Sequence, residues 1–170
     1  MTTFLIIRVL HILFAAIWFG AAVAMIFFVA PSIKEAKGGG GAVMAGVLRR
    51  KYPEIIQGIA GLTVLSGLYL YWRFTGGFDP VISASMAGRV FGTGGVAGIL
   101  AIVIGASVVA RSMKKAGAIM AKAGSLPDGP EKLALIQSVA PLQARAELFG
   151  RIVIVLMVIA IVTMSIGHYV

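Results

Sequence analysis

The sequence predicts an all-α integral membrane protein, a single up-down-up-down bundle of four helices that takes up the whole chain, residues 1–170. Three observations lead to this prediction. The mean hydropathy is +1.00. Only 12% of the residues are charged, against about a quarter in soluble domains. Four apolar segments have close to the roughly 20 residues that a helix needs to cross a bilayer.

The predicted helices cover about residues 4–30, 54–74, 88–122 and 142–169. Pro31 predicts the end of the first helix, because proline disfavours a helical conformation in the residue before it. The run Thr-Gly-Gly-Phe-Asp-Pro at residues 75–80 predicts a short turn, so the second and third helices are expected to be antiparallel neighbours. Pro141 predicts the first turn of the last helix, with a separate short amphipathic helix before it.

The distribution of positive charge predicts the orientation in the membrane. Of 15 lysines and arginines, twelve fall in the first and third connections, and Arg8, Arg73 and Arg89 lie towards the opposite side. This asymmetry predicts that both termini and the short second loop face outward. The net charge of +9 is then explained by topology and by attraction to anionic membrane lipid, and nucleic acid is not an expected partner.

The two histidines are the main candidates for chemistry. His11 lies early in the first helix and His168 near the end of the fourth, so four crossings put both at the outer face. Ionisable groups inside a membrane are candidates for function. Two other roles remain open: His11 bonding a carbonyl or hydroxyl on another helix, and His168 belonging to an interfacial aromatic belt. The absence of cysteine excludes thiolate catalysis, iron–sulfur clusters and c-type haem attachment.

The residues around the histidines suit a haem b pocket. Neutral imidazole is a common axial ligand of haem iron, and arginines such as Arg8, Arg73 and Arg89 pair well with propionates. His11 and Trp18 are seven residues apart and share one stripe of the helix. The spacing Gly94-x-x-x-Gly98 permits close approach, either of another helix or of a flat cofactor. A copper site is the alternative, because imidazole and thioether suit Cu(I) and Met164 lies one turn before His168.

The residues "RVLHILFAAIWFGAAVAMIFFVAPSI" give the chain a resemblance to small bacterial membrane proteins related to copper-resistance protein D. They also resemble HemJ-type protoporphyrinogen oxidases and the membrane portion of some urate oxidases. The distinctive element is a histidine followed by tryptophan and glycine, matched by His11, Trp18 and Gly20, with Pro31 closing the segment. "LTVLSGLYLYW" and "GRIVIVLMVIAIVTMSIGHYV" are similar in kind to later helices of these families.

The resemblance implies a four-helix membrane protein whose first-helix histidine binds haem b. HemJ-type members also use a lysine in the third helix, and this chain has none within residues 90–110. The copper-resistance branch implies passage or delivery of copper across the inner membrane.

We therefore expect a b-type haem protein of the bacterial inner membrane that performs one-electron transfer near the periplasmic face, with His11 and His168 as axial ligands. Its expected partner is a quinone or a periplasmic redox protein, and a homo-oligomer is compatible with the sequence. Any enzymatic activity would be that of a haem-dependent membrane oxidoreductase. The alternatives are copper handling without haem and a non-catalytic assembly or scaffold role.

Overall fold

The computed structural model describes residues 2–36 and 40–170, which form helices joined by short connections, with no β-strand among them. The helices are α1 Thr2–Glu35, α2 Gly40–Arg49, α3 Tyr52–Phe74, α4 Pro80–Ala84, α5 Met86–Gly124 and α6 Pro130–Ile166. Helices α1, α3, α5 and α6 are long and apolar enough to cross a membrane. The prediction of an all-helical fold with four helices long and apolar enough to cross a membrane is confirmed.

Helix α1 continues through Pro31 to Glu35, so the predicted end at residue 30 is wrong. Met25–Val29 form a π-helical turn, after which the N–H of Ala30 bonds to the carbonyl of Met25, five residues back. In a regular α-helix the ring of Pro31 would clash with the carbonyl four residues before it. The wider π turn directly before the proline relieves that clash, and the helix therefore continues.

Helix α6 runs without a break from Pro130 and contains Pro141 in its interior. The predicted start near residue 142, and the separate amphipathic helix before it, are both wrong. Pro141 has no N–H to donate, so the carbonyl of Gln137 loses its usual helical partner. Both residues are exposed, which allows another donor to reach that carbonyl. Helices α3 and α5 begin and end within two residues of their predicted bounds.

The turn after α3 follows from its sequence. Gly76 and Gly77 have φ values of +65° and +95°, a region that glycine adopts without steric cost. The hydroxyl of the fully buried Thr75 accepts a hydrogen bond from the N–H of Phe78. The Asp79 carboxylate then accepts the first free N–H groups of α4, as an N-cap residue does. These conformations and hydrogen bonds define the short connection between α3 and α4.

The core takes a side chain from every one of the four long helices. Trp18 of α1 is 5% exposed and packs with Ala60 of α3, Ala101 of α5, and Val153 and Met157 of α6. Because two of its neighbours are alanines, the indole ring can approach the backbones of α3 and α5. Burial of one large aromatic ring against small residues fixes the relative positions of the helices.

One end of the molecule is defined by contacts between the beginning of α1, the end of α6 and the beginning of α5. Arg8 lies against His168, and the ring of Phe91 packs on the His168 ring. We call the region of Arg8, His11, Phe91 and His168 the histidine end.

The other end is defined by ion pairs between helices. Lys34 of α1 pairs with Glu147 of α6. The Lys114 ammonium of α5 lies 2.8 Å from a carboxylate oxygen of Glu54 in α3. We call the region of Lys34, Glu54, Lys114 and Glu147 the lysine end.

Candidate functional site

His11 is held by the backbone of α3. Its Nδ1 lies 2.9 Å from the carbonyl oxygen of Thr63 and 3.1 Å from the hydroxyl oxygen of Ser66. A carbonyl oxygen only accepts, so Nδ1–H donates to Thr63. The Ser66 hydroxyl itself donates to carbonyls of α3. The half-buried imidazole is therefore anchored through one nitrogen and has a defined tautomer.

Gly67 makes this contact possible. A Cβ atom at residue 67 would lie 2.8 Å from Cε1 of His11, and 3.3 Å from its Nδ1. Real Cβ atoms do not approach other atoms so closely, so any larger residue would push the imidazole away from the Thr63 carbonyl. Glycine at this position is thus part of the histidine site, although it has no group that bonds to the ring.

The second nitrogen of His11 is open. Among residues 2–36 and 40–170, Nε2 makes no hydrogen bond and is not fully buried. With its proton on Nδ1, the ring presents the Nε2 lone pair. Donation of one ring N–H to a backbone carbonyl, with the other nitrogen free, is the arrangement that metal-ligating histidines adopt.

His168 is in a different situation. The Arg8 guanidinium donates to its Nε2 over 2.9 Å, because a guanidinium has no acceptor. The ring also packs edge-on against Phe91, with centroids 5.1 Å apart, and Phe91 in turn packs against Phe74. The structure thus brings Arg8 and His168 together, at the end of the molecule where His11 lies. Arg8 thus occupies one of the two ring nitrogens through which His168 could bind a metal.

The other predicted arginines lie at the same end, on the surface. Arg73 is exposed in the last turn of α3. Arg89 is exposed in the first turns of α5, and its Nε donates to the carbonyl of Ala84 over 2.9 Å. These side chains do not meet Arg8 in a single cluster, but they leave the histidine end positively charged.

Three further predicted residues serve packing in the structure. Trp18 lies in the core described above. A Cβ atom at Gly94 would lie 2.6 Å from the Thr163 hydroxyl and 3.1 Å from Cγ of Met164, so α5 and α6 touch closely there. Gly98, four residues later, has no atom within 4 Å of its Cβ position, so one glycine of the predicted pair mediates this contact. Met164 lies against α5 through Gly94.

The partners of His11 on α3 could not be assigned from sequence. Ser66 and Gly67 are both typical of helix packing in membranes, and the register between α1 and α3 was needed to connect them with the histidine. In the part of the chain that the structure describes, no group of three or more histidine, cysteine, aspartate or glutamate side chains could hold a metal ion.

No protein-family model, curated protein or solved structure matches the chain.

Proposed function

We propose that the four long helices form an up-down-up-down bundle in a bacterial inner membrane, with the histidine end outward. Two observations support this arrangement. Side-chain contacts join the start of α1 to the end of α6 at the histidine end, and join Lys34 to Glu147 at the lysine end. Twelve of the 15 lysines and arginines belong to the connections at the lysine end, which the positive-inside rule assigns to the cytoplasm.

We further propose that the protein binds haem b through His11. The observation that supports this most is the anchoring of Nδ1 by the Thr63 carbonyl, which leaves the Nε2 lone pair free. A fixed and neutral imidazole with one open nitrogen is what an axial ligand of haem iron requires. Arg8 lies one turn from His11 and Arg89 at the same end, and both are suited to propionates. Bound iron would supply one-electron redox chemistry, exchanged with a quinone or a periplasmic redox protein.

The arrangement argues for one axial histidine instead of two. His168 fits an axial role poorly, because Arg8 donates to its Nε2 and Phe91 packs on its ring. The same contact argues against a copper site that uses Nε2 of His168, since the Arg8 guanidinium already bonds to that nitrogen. Within this proposal, His168 positions Arg8 beside the haem site.

The test is an ultraviolet–visible spectrum of detergent-purified protein, oxidised and then reduced with dithionite. We expect a Soret band in the natural protein and in His168→Ala, and its loss in His11→Gly. Imidazole added to His11→Gly should restore the band, which separates loss of a ligand from loss of folding. A featureless spectrum from cells with ample haem, or an unchanged band in His11→Gly, would overturn the proposal.

A matched pair of glycine variants tests the geometry of the site. Gly67→Ala is expected to displace the imidazole from Thr63 and to weaken haem binding about tenfold, the scale typical of groups that orient a metal ligand. Gly61→Ala, on the same helix, has no atom within 4 Å of its new methyl group and should bind haem normally. Equal haem affinity of the two variants would contradict the role assigned to Gly67.

A further inference from the structure

The lysine end has a half-open cavity that the haem proposal does not use. Its volume is about 340 Å³, and it lies between α1, α2, α5 and α6. A second cavity of about 420 Å³ adjoins it, and both are lined by Gly41, Met44, Met120 and Ile136. An apolar cavity of about 150 Å³ is enough to hold a benzene molecule, so the space here suits an extended chain.

The cavity lies beside the two π-helical turns of the molecule's described part. Met25 and Ile26 line it from the π turn of α1, and Val109 lines it from the π turn Gly105–Ala110 of α5. A π turn widens the helix and displaces the side chains that follow it. Such turns cost stability relative to regular helix and are frequent at functional sites. Two of them, one on α1 and one on α5, thus contribute residues to the lining.

The lining calls for an apolar occupant. Four methionines, Met25, Met44, Met113 and Met120, contribute to it, and flexible thioether side chains adapt to ligands of varied shape. Most of the lining is apolar, and its polar residues are Lys34, Ser112, Gln143 and Glu147.

The mouth of the cavity is positively charged. Lys34 and Glu147 both line it, and Glu147 also accepts a hydrogen bond from Arg151 over 2.8 Å. Two cations thus share one carboxylate, which leaves an excess positive charge beside an apolar chamber. An amphiphile with one anionic head and one apolar chain matches both features.

We propose that this cavity binds a free long-chain fatty acid, with the chain among the methionines and the carboxylate at Lys34. The site is independent of the haem site. Met25 is 14 residues from His11 on α1, about 21 Å along the helix axis. The protein thereby has two sites at its two ends, and the loss of one leaves the other in place.

Binding of radiolabelled palmitate to the protein in phosphatidylcholine nanodiscs tests this proposal. We expect Lys34→Gln to lower palmitate affinity about tenfold, through loss of a charged hydrogen-bond partner. Glu147→Gln should raise it, because a competing carboxylate is removed. Lys114→Gln, whose lysine pairs with Glu54 outside the cavity, serves as the control and should bind palmitate normally. A fall in palmitate affinity in Lys34→Gln together with a rise in Glu147→Gln distinguishes a role in binding from a general loss of folded structure.

Two further measurements identify the ligand and the chamber. Ala116 lines the cavity, so Ala116→Leu should reduce palmitate binding by filling it. Methyl palmitate, which has no charge, should bind with the same affinity to the natural protein and to Lys34→Gln. The proposal is overturned if palmitate binding is unaffected in Ala116→Leu, or if phosphatidylglycerol competes as well as palmitate does.

Discussion

At the histidine end, aromatic and imidazole rings lie directly against the backbones of neighbouring helices, whereas at the lysine end the helices line two cavities. His11 lies against Gly67, and Phe91 lies within 3 Å of the Cβ position of Gly167. At the other end methionines surround open volume, and the π turns of α1 and α5 flank it. The comparison shows that a glycine permits a close contact between membrane helices only where a ring or a second helix occupies the space beside it. The close contacts of the histidine end hold its rings in one geometry, whereas the lysine end leaves open volume between the helices.

The largest expected effect comes from adding a methyl group where the histidine end has no room. Gly94→Ala should destabilise the protein by about 1–3 kcal/mol, because the new atom overpacks against Thr163 and Met164. Gly95→Ala is the control, since its methyl group meets no atom within 4 Å. That variant should be neutral or more stable, because alanine favours helix over glycine. Thermal unfolding in detergent measures both, and equal unfolding temperatures would refute the difference drawn between the two ends.

A smaller effect of opposite sign is expected at the lysine end. Ala116→Leu adds volume beside a cavity and should stabilise the ligand-free protein by about 1 kcal/mol, as cavity-filling substitutions do. The same thermal unfolding experiment, after removal of bound lipid, provides the measurement. A marked loss of stability would mean that the cavity walls are as rigid as the Gly94 contact, and the contrast between the ends would fail.

The smallest effect concerns an ion pair next to the cavities. A hydrogen bond from Lys132 lowers the pKa of the exposed Asp128 carboxyl below its usual value. A carboxyl with a lowered pKa in the folded state stabilises that state above its unfolded pKa, about 3.9. The contribution is lost as pH falls through the lower folded value. We expect Asp128→Asn to be slightly less stable than the natural protein at neutral pH. This difference in the free energy of unfolding, measured at decreasing pH, should vanish in acid. A difference that grows in acid would contradict this sign.

The four long helices could be predicted because hydropathy is summed over many residues, and a membrane leaves the backbone few alternatives to helix. The two prolines were misleading for a local reason. At Pro31 the cost of the ring is relieved by a π turn, and at Pro141 the affected carbonyl of Gln137 is exposed. Neither circumstance can be read from the proline itself, since both depend on how the preceding turn is wound and on what surrounds it.

The candidate site could be predicted only in part. His11, His168 and Arg8 were identified from their side-chain chemistry and from the number of predicted membrane crossings. The packing of α1 beside the end of α6 brings Arg8 into contact with His168. The anchoring of His11 depends on the register between α1 and α3. That register is determined by many small contacts, including the fit of Trp18 against Ala60, and no single residue encodes it.

The π turn at Met25–Val29 also changes the direction in which the side chains after it point, relative to the side chains before it. His11, Trp18 and Met25 recur every seven residues, and an uninterrupted helix would continue their stripe at Ser32. One extra residue in the turn rotates everything after it by about 100°. Ser32 is exposed, while Lys34 pairs with Glu147. Deletion of one residue within the turn would swing Lys34 away from Glu147 and leave His11 where it is. The turn thus separates the orientation of the His11 face from that of the Lys34 face within one continuous helix. Either orientation can change without the other.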